Sequence, residues 1–171
     1  MSIPDKYVPK HLDKKDIIQQ KNNILRSRKL YKKGKYLERP KVKSYKSKKS
    51  KHINKAMKIY NMENIKPSRE LSEKTQCSID ALEKIVNKGR GAYYSSGSRP
   101  NQTAESWGIA RLASAITGGN SVFYDFHLLE EGCNKKGTAY KLAKKTCKRK
   151  KRCTKYLNKT KKRHVTTAYI M

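Results

Sequence analysis

Apolar positions recur along this chain at helical spacing in six places, and two stretches depart from it. Between Asp13 and Lys33 the residues Ile17, Ile18, Ile24, Leu25, Leu30 and Tyr31 repeat about every seven positions, which predicts a helix with a narrow apolar stripe. Asp13 is a suitable N-cap and Gly34 a suitable stop. The stripe is expected to pack on the protein's own centre; docking on a neighbour is the alternative. A short helix follows over 52–61, with Ile53, Met57 and Tyr60 on one face. Ser68 and Ser78 cap two more, running to Lys74 and to Lys88, the second ended by Gly89. Over 103–117, Thr103 caps a helix in which Ile109, Leu112, Ala113 and Ile116 follow i, i+3, i+4, i+7, with Gly118-Gly119 as the stop. That helix is apolar on most sides and is expected at the centre of the fold. A last helix spans Thr138 to about Arg152, with Tyr140, Leu142, Ala143 and Cys147 beneath a basic surface.

The first departure is 35–52, where Tyr36, Val42 and Tyr45 alternate loosely with lysines and Pro40 blocks a helix. This reads as an extended arm tracking an anionic backbone, with rings free to stack; a solvated linker is the alternative. The second is Val122–Leu129. There Tyr124, Phe126 and Leu128 alternate with Phe123, Asp125, His127 and Leu129, which predicts a strand. The expected fold is therefore mainly α, with a small α+β fold as the variant. A compact helical centre with one short strand or hairpin would be flanked by extended Lys-rich arms.

Charge sharpens this division. The 171 residues carry a net charge of +30. Residues 17–62 hold sixteen Lys/Arg against Glu38 alone, and residues 132–171 hold fifteen and no acid. Residues 63–131 hold eight against nine Asp/Glu, a net of −1. Three segments follow: a basic N-terminal arm with one or two helices (1–62), a near-neutral folded centre (63–131), and a basic C-terminal helix and tail (132–171). Such flanks repel each other unless an anionic partner lies close by. With a mean hydropathy of −0.98, a centre of about 70 residues supplies only roughly 3–5 kcal/mol from its core. No apolar run approaches the roughly 18 residues of a membrane span, and Met1–Asp5 carry no signal-peptide core. The chain is expected not to be secreted.

The basic residues named as contacts to nucleic acid or an acidic surface are Lys41, Lys43, Lys46, Lys48, Lys49, Lys51, Lys148, Arg149, Lys150, Lys151, Arg152, Lys161, Lys162 and Arg163. Ser95, Ser96, Ser98 and Arg99, just before a helix N-terminus, have the make-up of an anion site. The favoured reading is a tight loop whose polar groups cap the helix and pin a neighbour. The segment lacks the Gly-Lys-Ser/Thr ending of a nucleotide-binding loop. Residues 70–89 have the outline of a helix-turn-helix, but Gln76 stands where Gly is usual and Asp80 would face phosphates; a plain helical hairpin is the simpler reading. Arg111, inside the central helix, needs a partner, for which Asp125 and Glu105 are candidates. Asp125 and His127 share a strand face without a strained nucleophile turn, so no catalytic residue is assigned. Cys133, Cys147, Cys153 and His164 are separated by thirteen, five and ten residues, which fits no structural zinc spacing. The four cysteines, Cys77 included, are expected as free thiols in a reducing compartment. No metal, cofactor or small-molecule substrate is expected.

The run Lys88-Gly89-Arg90-Gly91-Ala92-Tyr93-Tyr94-Ser95-Ser96-Gly97-Ser98-Arg99-Pro100-Asn101-Gln102-Thr103, then Ser106-Trp107-Gly108 and Ala110–Gly119, resembles an uncharacterised domain family encoded by large double-stranded DNA viruses of algae and by some marine phages. The Lys-rich stretch Tyr31–Tyr36 resembles it too, so the likeness covers about residues 7–150. The resemblance carries no activity; it implies a viral setting. The expected function is a non-enzymatic virion structural protein, a minor capsid or inner-virion component made in the host cytoplasm or nucleus. Its arms would tie capsid proteins, anionic membrane or viral DNA together. The alternative is a sequence-independent DNA-condensing core protein.

Overall fold

The computed structural model describes residues 2–153 as a mainly helical protein. After a 3-10 turn at Asp5–Tyr7 come α1 (Lys14–Tyr31), α2 (Lys51–Tyr60), α3 (Arg69–Thr75), α4 (Ile79–Ser95), α5 (Ala104–Ile116), α6 (Val122–Gly132) and α7 (Thr138–Arg149). Among the described residues the only β pairing is an isolated antiparallel bridge between Cys77 and Cys133. The chain divides into two units that cut across the charge blocks: 2–50 with 86–111, and 51–85 with 112–153. Helices α4 and α5 each contribute residues to both.

In the first unit, α1 turns an unexpected face inward. Its buried residues are Asp16, Gln20, Ile24 and Ser27, whereas Ile18 and Leu25 of the anticipated stripe are 60% and 51% exposed. The reason is the neighbour. The last turn of α4 and the loop after it have carbonyls that need partners, and α1 supplies them. Ser27 Oγ donates to the Tyr94 carbonyl at 3.0 Å, Arg28 Nη2 to the Ser96 carbonyl at 2.7 Å, and Gln20 Nε2 to the Ser98 carbonyl at 3.3 Å and also to that of Tyr7 at 3.0 Å. Ile24 fills the space over Gly97, whose φ of +108° and 3.0 Å clearance for an added Cβ both call for glycine.

Gly89 does not end α4. The helix continues through it to Ser95 because Gly89 lies against Gly108 of α5, where an added Cβ would come within 2.5 Å of the Gly108 Cα. The two glycines let the helix backbones approach closely, and the spacing is a packing requirement rather than a turn.

The second unit holds the apolar core. Leu71, Leu82, Ile85, Leu112, Ile116, Phe126, Leu129 and Tyr140 are almost wholly buried. Tyr60 donates its hydroxyl to the Ile116 carbonyl at 2.5 Å, and burial pushes its pKa upward. The predicted strand Val122–Leu129 is helical: Val122, Asp125, Phe126 and Leu129 are the buried positions of α6, a spacing that alternation had masked because nearly every residue there is apolar. Helix α6 packs on α7, with the Phe126 and Tyr140 rings 5.7 Å apart. Asp125 and His127, two apart on a helix, do not face each other. Gln76 does adopt the left-handed turn between α3 and α4, at φ +56°.

The free-thiol expectation is overturned. Cys77 and Cys133 form one disulfide, closing a separation of 56 residues, and Cys147 and Cys153 form another across six. The bridge Ser78 N–H to Gly132 carbonyl, 2.8 Å, runs beside the first. No described helix is long and apolar enough to cross a membrane.

Candidate polyanion interface

The stretch 35–50 has neither helix nor strand, as expected, yet it is a strap fastened to the first unit rather than a free arm. Three clamps hold it. Arg39 donates from Nη1 to Ser27 Oγ (3.2 Å) and the Tyr93 carbonyl (2.7 Å), and from Nη2 to Ser98 Oγ (2.7 Å). Its guanidinium lies 3.7 Å over the Tyr93 ring, and burial draws its pKa down. Asn101, at φ +59°, acts as a one-residue strand partner. Its Oδ1 accepts from Val42 N–H (2.8 Å), and its Nδ2 donates to the Val42 and Tyr45 carbonyls (3.1 and 3.0 Å). Asp16 Oδ2 accepts from both the main-chain N–H and the hydroxyl of Ser44, at 2.7 and 2.6 Å. These bonds hold the Asp16 carboxyl below its ordinary value of 3.8.

The clamps decide which side chains face water. Val42 is buried, while Lys41, Lys43, Lys46, Lys48 and Lys49 are all exposed, and Lys51 is exposed at the start of α2. The result is a row of ammonium groups on a backbone that is already ordered. Of the rings expected to be free, Tyr36 is 68% exposed but meets the Tyr31 and Tyr94 rings edge-on, and Tyr45 stacks on His11 at 6.1 Å.

The second basic surface is α7 and its end. Ala139, Tyr140, Ala143, Thr146 and Cys147 face inward, so Lys141, Lys145, Lys148 and Arg149 face out, followed by exposed Lys150, Lys151 and Arg152. The Cys147–Cys153 disulfide closes this turn, and Arg152 lies over the Phe123 ring at 4.1 Å. Lys161, Lys162, Arg163 and His164 lie outside the described residues.

The four residues of the proposed anion site are placed differently from one another. The hydroxyls of Ser95 and Ser96 approach to 3.5 Å. Ser98 is buried, accepts from Arg39 and donates to the Arg99 carbonyl at 2.8 Å. The Ser96 carbonyl accepts from Arg28 Nη2 at 2.7 Å, and Arg99 is exposed. Thr103 caps α5 as anticipated, its Oγ1 accepting from Ser106 N–H at 3.0 Å. The loop thus spends polar groups on capping α5 and pinning the strap. Glu105, a candidate partner for Arg111, instead accepts from Arg90 Nε at 2.7 Å. Among the described residues no group of three His, Cys, Asp or Glu stands ready for a metal ion. In the would-be recognition helix α4, Ala81 is buried against Gly132, which has no room for a Cβ, while Ile79 and Asp80 of the same turn are exposed.

Sequence reasoning did not single out Asn101 and Arg39. Both sit beside Pro residues in polar stretches, and their partners are 12 to 59 residues away, a separation that no local pattern encodes.

Residues 4–125 match a family of unknown function (DUF5824). The chain belongs to that family. No curated protein and no solved structure matches it. The DUF5824 match takes in the strap, all three of its clamps and the whole of α1–α5, and it ends inside α6. The α7 surface and three of the four cysteines lie beyond it. The strap is accordingly part of the DUF5824 region itself, and the basic C-terminal surface is an extension of it.

Proposed function

We propose that this protein is a non-enzymatic structural component of the virion of a large DNA virus, in the minor capsid or inner-virion layer, and that it works by gripping an anionic surface. The observation that carries the binding part is the clamped strap. Holding Val42 and Tyr45 by Asn101, and Ser44 by Asp16, fixes the backbone under Lys41 and Lys43 and up to Lys46 before any partner arrives, with exposed Lys48 and Lys49 following past the last clamp. A pre-ordered segment loses less conformational freedom on binding than a disordered one. A tail that merely solubilised the protein would have no use for three polar clamps. The virion setting rests on the resemblance of the 88–119 run to viral proteins, and two disulfides suit a particle that leaves the reducing cell interior.

A second reading, sequence-independent binding of duplex DNA, is favoured by α7, where Lys141, Lys145 and Lys148 follow helical spacing on the exposed face. Purified particles separated into shell and core, with this chain located by mass spectrometry, test the first reading; its absence from particles sinks it. The duplex reading expects affinity to fall by orders of magnitude between about 50 and 200 mM salt. Absence of duplex binding at about 100 mM salt removes it.

A further inference from the structure

One surface feature is not used by the strap's clamps. Gly34, at φ +71°, turns the chain back after α1 and sets Tyr36 against two other rings. Tyr36 meets Tyr94 at 5.0 Å and Tyr31 at 6.0 Å, both edge-on, while Tyr31 and Tyr94 are parallel within 8°. Tyr31 in turn lies over Gly91 of α4, its hydroxyl 3.4 Å from where a Cβ would be. Tyr36 is therefore buttressed from two sides and still 68% exposed. A tyrosine ring this open normally has little to gain from order. Here it is held against two rings and stays largely open to solvent, and Lys32, Lys33 and Lys35 are exposed within four residues of it.

We propose that the Tyr36 ring, buttressed by Tyr31 and Tyr94, is a stacking platform for an unpaired base of single-stranded nucleic acid, with Lys32, Lys33 and Lys35 taking the adjoining phosphates. The proposal deepens the anionic-surface reading above and rests on it, because it names the partner. Stacking distinguishes this partner from duplex DNA, whose base faces are covered except at the ends. A cation such as methylated lysine is the competing ligand for clustered rings. The three neighbouring ammonium groups repel it, and the rings, already in mutual contact, enclose no cage. Glu38, whose carboxylate accepts from the Tyr94 hydroxyl at 2.5 Å, keeps its charge but is outnumbered by Lys32, Lys33 and Lys35.

The test uses the full chain, its disulfides intact, with a fluorescent oligothymidylate of about 15 nucleotides and a duplex of the same length, at about 100 mM salt. Tyr36→Ala is expected to weaken oligothymidylate binding about tenfold, to leave the salt dependence unchanged because no phosphate contact is lost, and to leave duplex binding unchanged. Tyr36→Trp should restore the affinity, and its added emission should be quenched by the oligonucleotide and not by the duplex. A triple substitution of Lys46, Lys48 and Lys49 to Ala should weaken both probes. If that triple variant weakens both probes while Tyr36→Ala weakens neither, the platform is wrong and the anionic-surface reading stands. Equal weakening of both probes by Tyr36→Ala overturns it as well, as does a wild-type chain that binds neither. Tighter binding of a trimethyllysine peptide than of oligothymidylate would show that the rings serve a cation instead.

Discussion

The two units of this protein are almost equal in size, 75 and 77 described residues, yet they are held together by different forces. The unit of 51–85 and 112–153 contains twenty of the buried apolar residues and both disulfides, while the unit of 2–50 and 86–111 contains six. The apolar-poor unit compensates with hydrogen bonds from side chains to main chain: Gln20, Ser27, Arg28, Arg39 and Asn101 each reach a carbonyl at least 54 positions away. The difference teaches how a chain this cationic can fold. A lysine-rich strap has almost no apolar surface to bury, and burial is the usual source of stability. It can still be ordered if its polar main chain is satisfied by side chains whose alternative is an unpaired group, which costs about 1–3 kcal/mol each.

The comparison predicts that reduction strikes one unit and polar substitution the other. Replacing Cys77 and Cys133 together by Ser opens a 56-residue loop, and chain entropy puts the loss at about 4 kcal/mol. Opening the six-residue Cys147–Cys153 loop costs about 2 kcal/mol by the same relation. Denaturant unfolding of the two double variants should rank them in that order. Hydrogen exchange should show the loss concentrated in α3, α6 and α7. An unchanged midpoint on reduction would mean that the apolar core alone holds the second unit.

Asn101→Ala probes the other side. It removes three hydrogen bonds to Val42 and Tyr45 and is expected to destabilise the first unit by about 2 kcal/mol. Trypsin should then cut faster after Lys41 and Lys43, whose backbone the clamp otherwise ties to Asn101 and so keeps from entering a protease cleft. Asn101→Asp keeps the acceptor for Val42 N–H and should recover part of the protection. Cutting rates that match the native chain would show that the strap is held elsewhere.

The helical class was readable in the sequence because caps and periodicity are local: Ser68 accepts from Leu71 N–H as a cap should, and Thr103 does the same for α5. The misreadings have two causes. Val122–Leu129 was misread locally, because nearly every residue there is apolar and both periods fit. Gly89 and the inward face of α1 were decided by neighbours distant in sequence, Gly108 and the carbonyls at and after the end of α4. The cysteine pairing is likewise a long-range fact. The exposure of the described basic residues was legible for a plain reason, since a lysine in water is the default state. That the strap beneath them is fastened was not legible, because Asn101 and Asp16 look like any polar residues.

The smallest effect separates the units by pH. Asp16 is held below its ordinary value of 3.8, first by the Ser44 hydroxyl and next by the Ser44 main-chain N–H. A carboxyl whose pKa is depressed by folding contributes stability that is fully present above the unfolded value and is lost as pH falls through the folded one. The strap should therefore loosen below about pH 4, with the exchange rate of the Ser44 amide rising first. Asp16→Asn should remove that pH dependence, since an amide keeps an acceptor for Ser44 but has no proton to gain in this range. Unfolding of the native chain that keeps the same profile in the Asn variant would assign the acid sensitivity to other carboxylates. In that case the strap's order would rest on Arg39 and Asn101, whose bonds to Tyr93, Ser98, Val42 and Tyr45 involve no group that titrates there.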